Sequence, residues 1–265
     1  MLVTGIKSKP VYAPLQADIR GRYHLMLGMG AGGDALLRVL GELQGAAPQA
    51  ISNTRLLFVP DAVPNSRAAP GPAGIGLDAG VGLGAGIGLD AGVGLGAGIG
   101  LGVAVGLGAG VGVAGGAIAA TVATGATGIV ERFRSGGVAD LRLFADSSAL
   151  LQEFRTVLTR SLMGTRLYVA GPESFMGLVM KIALEFNLNK DEIRAEESGT
   201  LARRIYCIHC RATTEQVRTN IVHCVGCDRW LLVRDHYSRR LAAYMGVMAD
   251  AEAPGELPPL KEVFL

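Results

Sequence analysis

Four cysteines, Cys207, Cys210, Cys224 and Cys227, are the whole cysteine complement of this 265-residue chain, and they form two C-x2-C pairs separated by thirteen residues. A C-x2-C turn curls the backbone so that both thiolates face one ion, and two such knuckles complete a tetrahedron. Four thiolates and no other ligand describe a closed structural zinc site. Rubredoxin-like iron uses the same geometry, and its role would be electron transfer. A thioredoxin-like dithiol is the third reading, but it leaves the second pair unexplained. His209 and His223 border the knuckles and read as surface residues. All four cysteines fall within 21 residues, which excludes the distributed bridges of a small secreted disulfide scaffold. The polar, β-prone stretch between the pairs suits a ribbon hairpin, so 201–265 is expected to be a small β-rich zinc ribbon with a C-terminal tail.

Upstream the patterning is of another kind. Residues 22–44 read as a short apolar strand, a glycine turn with Gly28, Gly30, Gly32 and Gly33, and a helix with Leu36, Leu37, Leu40 and Leu43 at helical spacing. Asp34 falls in the first turn of that helix, where its charge suits the dipole. Leu56–Val59 reads as a second buried strand. Regular patterning resumes at 140–145 as a strand, and continues as a helix around 147–162, a strand leading into Ala170-Gly171-Pro172, a helix over 173–186 and a last strand at 193–197. Strands alternating with helices indicate βαβ units and a parallel sheet, so the class is α/β. Backbone amides of a strand-to-helix glycine turn can cradle a diphosphate at the helix N-terminus. That makes Gly28, Gly30 and Gly32, with Gly171 and Pro172 in a second loop at the same sheet edge, candidate cofactor-binding residues. The alternative is two ordinary tight turns. The spacing also departs from G-x-G-x-x-G. His24 reads as structural.

Between the two halves of this pattern lies a window of different composition. Of 39 glycines, 22 fall within 71–130, a stretch with a six-residue repeat over 74–115 and no Lys, Arg or aromatic residue. Three readings compete: a low-complexity expansion, a membrane segment within the uncharged 91–130, and a fragment of parallel β-helix. The division that follows is 1–70 and 131–200 as an interrupted α/β domain, 71–130 as an insertion and 201–265 as the ribbon. A net charge of +2 announces no electrostatic partner for the chain as a whole. No signal-peptide-like run opens the sequence, and the compartment is read as cytoplasmic.

Charge does concentrate locally. Residues 201–240 carry eight arginines against Glu215, Asp228 and Asp235, an excess of +5. With Tyr206, Trp230, Tyr237 and Tyr244 they could bind nucleic acid by phosphate contact and stacking, or dock an acidic protein surface. A solvated rim on a small metal module is the plainer reading.

Several stretches resemble known families. Arg166–Phe175, the helix after it and Asp191–Arg194 resemble the terminal strand, G-P turn, helix and closing strand of the nicotinamide module of ferredoxin reductases, and 25–33 resembles its opening. Residues 198–210, 218–227, 231–247 and 253–260 together resemble the DmmA-type subunit of bacterial dimethylamine monooxygenase. The resemblance implies a ferredoxin-reductase-like fold with a zinc ribbon. It also implies an accessory subunit of an NADPH-dependent oxygenase whose partners carry the reductase and oxygen chemistry. It departs from the reductases in having Ala170 where they have cysteine, and in lacking a flavin-binding R-x-Y-S/T element. The plant-type iron–sulfur cysteine spacing is also absent.

Overall fold

The computed structural model describes residues 8–60 and 124–265. The repeat window lies outside them up to Thr124, and the three readings of it lie outside them as well. Five strands form one sheet: β1 (Tyr23–Met29), β2 (Thr54–Val59), β3 (Asp140–Leu143), β4 (Thr165–Gly171) and β5 (Ile193–Glu197). Their order is β3-β2-β1-β4-β5 and every pairing is parallel. This is the expected α/β sheet, with each strand at its expected place.

Side chains alternate across the sheet with the period of two that a strand imposes. Met26, Phe58 and Tyr168 face α1 (Gly32–Ala46) and α2 (Thr124–Ser135). Leu27, Leu57 and Val169 face α3 (Ser147–Leu158) and α4 (Glu173–Glu185). Both faces are covered, which is why β1, β2 and β4 read as near-continuous apolar runs. The Asp146 carboxylate starts α3 by accepting from the Ala149 amide at 2.9 Å, closing one of the open donors of the first turn.

One helix departs from the sequence reading. α2 begins inside the window assigned to the insertion, and its Val130 and Phe133 are core residues, Phe133 meeting Phe58 edge-on at 5.2 Å between centroids. Large apolar residues enter it only from Ile129 on, because its start is made of Thr, Gly and Ala. Asp34 is in the first turn of α1 as expected, and Arg132 of α2 pairs with it at 3.2 Å.

The second sheet contains β6 (Arg203–Cys207), β7 (Thr213–Val217), β8 (Ile221–His223), β9 (Trp230–Ser238) and β10 (Ala243–Met248), in the order β7-β6-β10-β9-β8. β10 is central, parallel to β6 and antiparallel to β9, so the last strand joins two hairpins. Both sheets belong to one compact unit. A strap over residues 8–18 ties them together. Ser8 donates its amide to the Asp235 carbonyl at 3.0 Å, and at the other end Asp18 donates its amide to the Tyr168 hydroxyl at 2.9 Å. Among the described residues no helix is long and apolar enough to cross a membrane.

Candidate functional site

The two knuckles are built alike. The first joins β6 to β7, where the Arg211 amide donates to the Cys207 carbonyl at 3.0 Å and the Cys207 amide to the Ala212 carbonyl at 2.9 Å. The second joins β8 to β9, where the Asp228 amide donates to the Cys224 carbonyl at 3.0 Å and the Cys224 amide to the Arg229 carbonyl at 2.9 Å. Each turn needs a left-handed residue four positions after its first cysteine, and these are Arg211 (φ 67°) and Asp228 (φ 55°). Gly226 supplies a close approach, since a Cβ there would stand 2.6 Å from the Ala212 Cβ and 3.0 Å from the Cys210 sulfur.

β10 holds the hairpins so that the four sulfurs lie within 4.8 Å of one another. The Cys207 and Cys227 sulfurs are 3.8 Å apart and those of Cys210 and Cys224 are 3.4 Å apart. A tetrahedral zinc ion with Zn–S bonds of about 2.3 Å spaces its sulfurs by about 3.8 Å, so the group fits such an ion. The thiols do not titrate alike. The Arg229 amide and guanidinium bring Cys227 down to about 6. The Ala212 amide lowers Cys210, but desolvation and hydrogen bonding to the other three thiols outweigh it and push that thiol up to about 12. Four thiolates at this spacing repel one another, and a cation at their centre is what lets all four ionise. His209 is exposed and His223 packs against Trp230 at a tilt of 42° with centroids 3.7 Å apart, so both lie outside the sulfur cluster, as expected.

The two glycine loops do come together. β1 and β4 are neighbours, and a Cβ at Gly32 would overlap the Ala170 carbonyl directly. The local surroundings describe packing. A Cβ at Gly28 would meet Leu36 at 2.6 Å and Phe58 at 2.9 Å, and one at Gly171 would meet Phe175 at 3.2 Å and Met29 at 3.3 Å. Gly30 holds the left-handed turn (φ 53°). Pro172 caps α4 without an amide to offer, and the next residue is the buried acid Glu173. At 28, 32 and 171 the missing side chain is thus taken up by close packing against neighbouring segments.

Two family models match parts of the chain. The model of the dimethylamine monooxygenase subunit DmmA-like N-terminal domain matches residues 121–193, and that of its C-terminal domain matches 204–247. These two stretches of the chain are similar to the two DmmA-like domains. It is 35% identical over 99 residues to the heme-dependent oxidative N-demethylase delta subunit of Ectopseudomonas mendocina (strain ymp), a match covering 37% of this chain and 57% of that protein. The solved structure of phthalate dioxygenase reductase, described as a modular structure for electron transfer from pyridine nucleotides to a 2Fe–2S centre, has a TM-score of 0.37 and 11% identity to it. That alignment covers 79% of this chain and 46% of the reductase. All four cysteines lie within the DmmA-like C-terminal domain.

Part of the basic and aromatic set around the knuckles is interior rather than at the surface. Arg203 is buried between the rings of Tyr244 and Phe264, at 3.9 and 3.8 Å, and pairs with Asp235 at 2.8 Å. Arg204 donates from Nε to both oxygens of Glu215 at 2.8 and 2.9 Å. Tyr237 and Tyr244 are core residues and cannot stack on bases. Sequence reasoning also missed Glu173, whose Oε2 accepts from the Tyr244 hydroxyl at 2.7 Å. An acid directly after a strand-ending Gly-Pro was the only signal, and it reads equally well as an ordinary first-turn residue.

Proposed function

We propose that this DmmA-like chain is a non-catalytic subunit of a multicomponent, NADPH-dependent oxygenase that removes an N-methyl group from a small amine such as dimethylamine, with reductase and oxygenase chemistry on other subunits. The convergence of four thiols inside the DmmA-like C-terminal domain is the observation that carries this reading. Cys207, Cys210, Cys224 and Cys227 would hold one zinc ion, which supplies folding free energy and no redox chemistry. All four positions of the tetrahedron are protein thiolates, so nothing is left open for a substrate.

In this reading the α/β part, 1–70 and 131–200 together with the start of α2, is a body that retains a nucleotide-binding architecture without a nucleotide. The packed glycines at 28 and 32 support that, and NADPH electrons would enter through a partner. The ribbon, 201–265, is the adaptor. Exposed Ile208 and Val225 occupy matching places in the two knuckles, beside exposed Arg211 and Arg229. Such a tip suits a protein surface with apolar and acidic groups better than it suits nucleic acid.

The test is affinity purification of the tagged chain from its native host, with metal and cofactor analysis of the eluate. Reductase and oxygenase polypeptides should co-elute, and the chain alone should bring one zinc, no iron and no NADPH. A visible ferric tetrathiolate spectrum, or saturable NADPH binding to the isolated chain, would overturn the corresponding part.

A further inference from the structure

A groove of about 570 Å³ runs between the N-terminal strap, α4 and β5, with Tyr237 and Arg239 of the second sheet adding to its wall. None of the four cysteines and none of the candidate glycines lines it. Its volume lies in the range of small-molecule sites, roughly 300–1,000 Å³. The apolar lining includes Tyr12, Met180, Leu184 and Ile193. Met180 and Leu184 are one turn apart on α4, and Leu184 is 45% exposed. An apolar helix face left open beside a cavity of this size is surface that a bound molecule would cover.

The charges around the groove are one-sided. Lys181, Lys190, Arg194 and Arg239 line it, and among the described residues no carboxylate does. Of these four, Arg194 is the one with an ion pair among the described residues, to Asp18 at 3.5 Å, and its Nε is buried without a partner. Four cations around an apolar hollow repel one another and leave a positive potential that low-dielectric walls focus. An anion seated among them reverses that cost, and an apolar body attached to the anion covers the floor.

We propose that this groove binds a small amphipathic anion, an aromatic ring or short chain carrying a carboxylate, sulfonate or phosphate. The apolar part would lie on Met180, Leu184 and Tyr12, and the anionic group would be held by Lys181 and Arg239.

The test uses the full chain and two fluorescent probes that differ in charge: 8-anilinonaphthalene-1-sulfonate, an anion, and the uncharged N-phenyl-1-naphthylamine. The anion should bind saturably with 1:1 stoichiometry and at least tenfold more tightly than the neutral probe. The double variant Lys181→Glu/Arg239→Glu, at a half-buried and an exposed position, should remove that tenfold preference while leaving the neutral probe unchanged. Leu184→Asp should weaken both probes. Equal affinity for the two probes, binding that does not saturate, or an anion affinity that the double variant leaves untouched would each overturn the proposal.

Discussion

The Tyr244 hydroxyl, in the central strand of the ribbon sheet, donates a 2.7 Å hydrogen bond to Glu173, the first residue of α4, and both side chains are buried. This bond joins the sheet that carries the four cysteines to the carboxyl edge of the parallel sheet. Its acceptor is under-satisfied, since the second oxygen of Glu173 has no partner. Burial raises the Glu173 carboxyl above its ordinary 4.5, with the Tyr244 bond pulling the other way. A folded-state pKa above the unfolded one means that the folded state keeps a proton the unfolded chain has lost. The contribution is complete below about 4.5 and is lost as pH rises through the folded value. Thermal melts between about pH 4 and 8 should therefore show a loss of stability with rising pH that Glu173→Gln removes. Tyr244→Phe should cost about 1–3 kcal/mol by stranding the acceptor. A pH profile identical in wild type and Glu173→Gln would count against this account.

Asp18 has the opposite sign. The Arg20 side chain, with help from the Arg20 amide and Arg166, holds its carboxyl well below the ordinary 3.8. Its contribution is present above that value and disappears as pH falls below it. Asp18→Asn should cost about 1.5–3 kcal/mol at neutral pH and flatten the acid limb of the urea-midpoint profile. An unchanged acid limb would show that the strap is held by something else.

Metal removal should act on the ribbon first. The buried cluster of that sheet is small, and two of its members, Cys207 and Cys224, belong to the four-thiol group. A high-affinity chelator at neutral pH should release one zinc per chain, measured by elemental analysis, with a loss of strand circular dichroism and of Trp230 fluorescence anisotropy. Cys207→Ser and Cys224→Ser should purify without zinc and lose partner co-elution. Serine variants that keep unchanged partner stoichiometry would refute the adaptor role.

Backbone geometry gives a paired prediction. Arg211 holds φ 67°, a left-handed conformation that costs a non-glycine residue about 1 kcal/mol, so Arg211→Gly should stabilise the metal-loaded protein. Gly226→Ala should destabilise it by about 1–3 kcal/mol, because the new methyl overlaps Ala212 and crowds Cys210. Chemical denaturation of the zinc-loaded variants reads both signs, and the pair fails if they come out the same.

Local chemistry made much of this protein legible from its residues. Full burial on both faces leaves continuous apolar runs, so β1, β2 and β4 could be placed before their partners were known. The C-x2-C turn brings its two sulfurs together within four residues, so the thiol group was visible from spacing alone. The glycines at 28, 30 and 32 were visible too, but their use was not. Whether a missing side chain makes room for a phosphate or for a neighbouring strand depends on Ala170, Phe58 and Leu36, which only the fold brings near. Tertiary structure also decided that Arg203 and Tyr244 are interior, that Glu173 is a buried acid, that α2 starts inside the window assigned to the insertion, and that the last strand sits between the two hairpins. Each of these rests on contacts between segments distant in the chain, such as the 71 residues separating Glu173 from Tyr244. Such contacts form because packing the whole buries more apolar surface than any segment can bury alone, and no local pattern records which distant partner completes it.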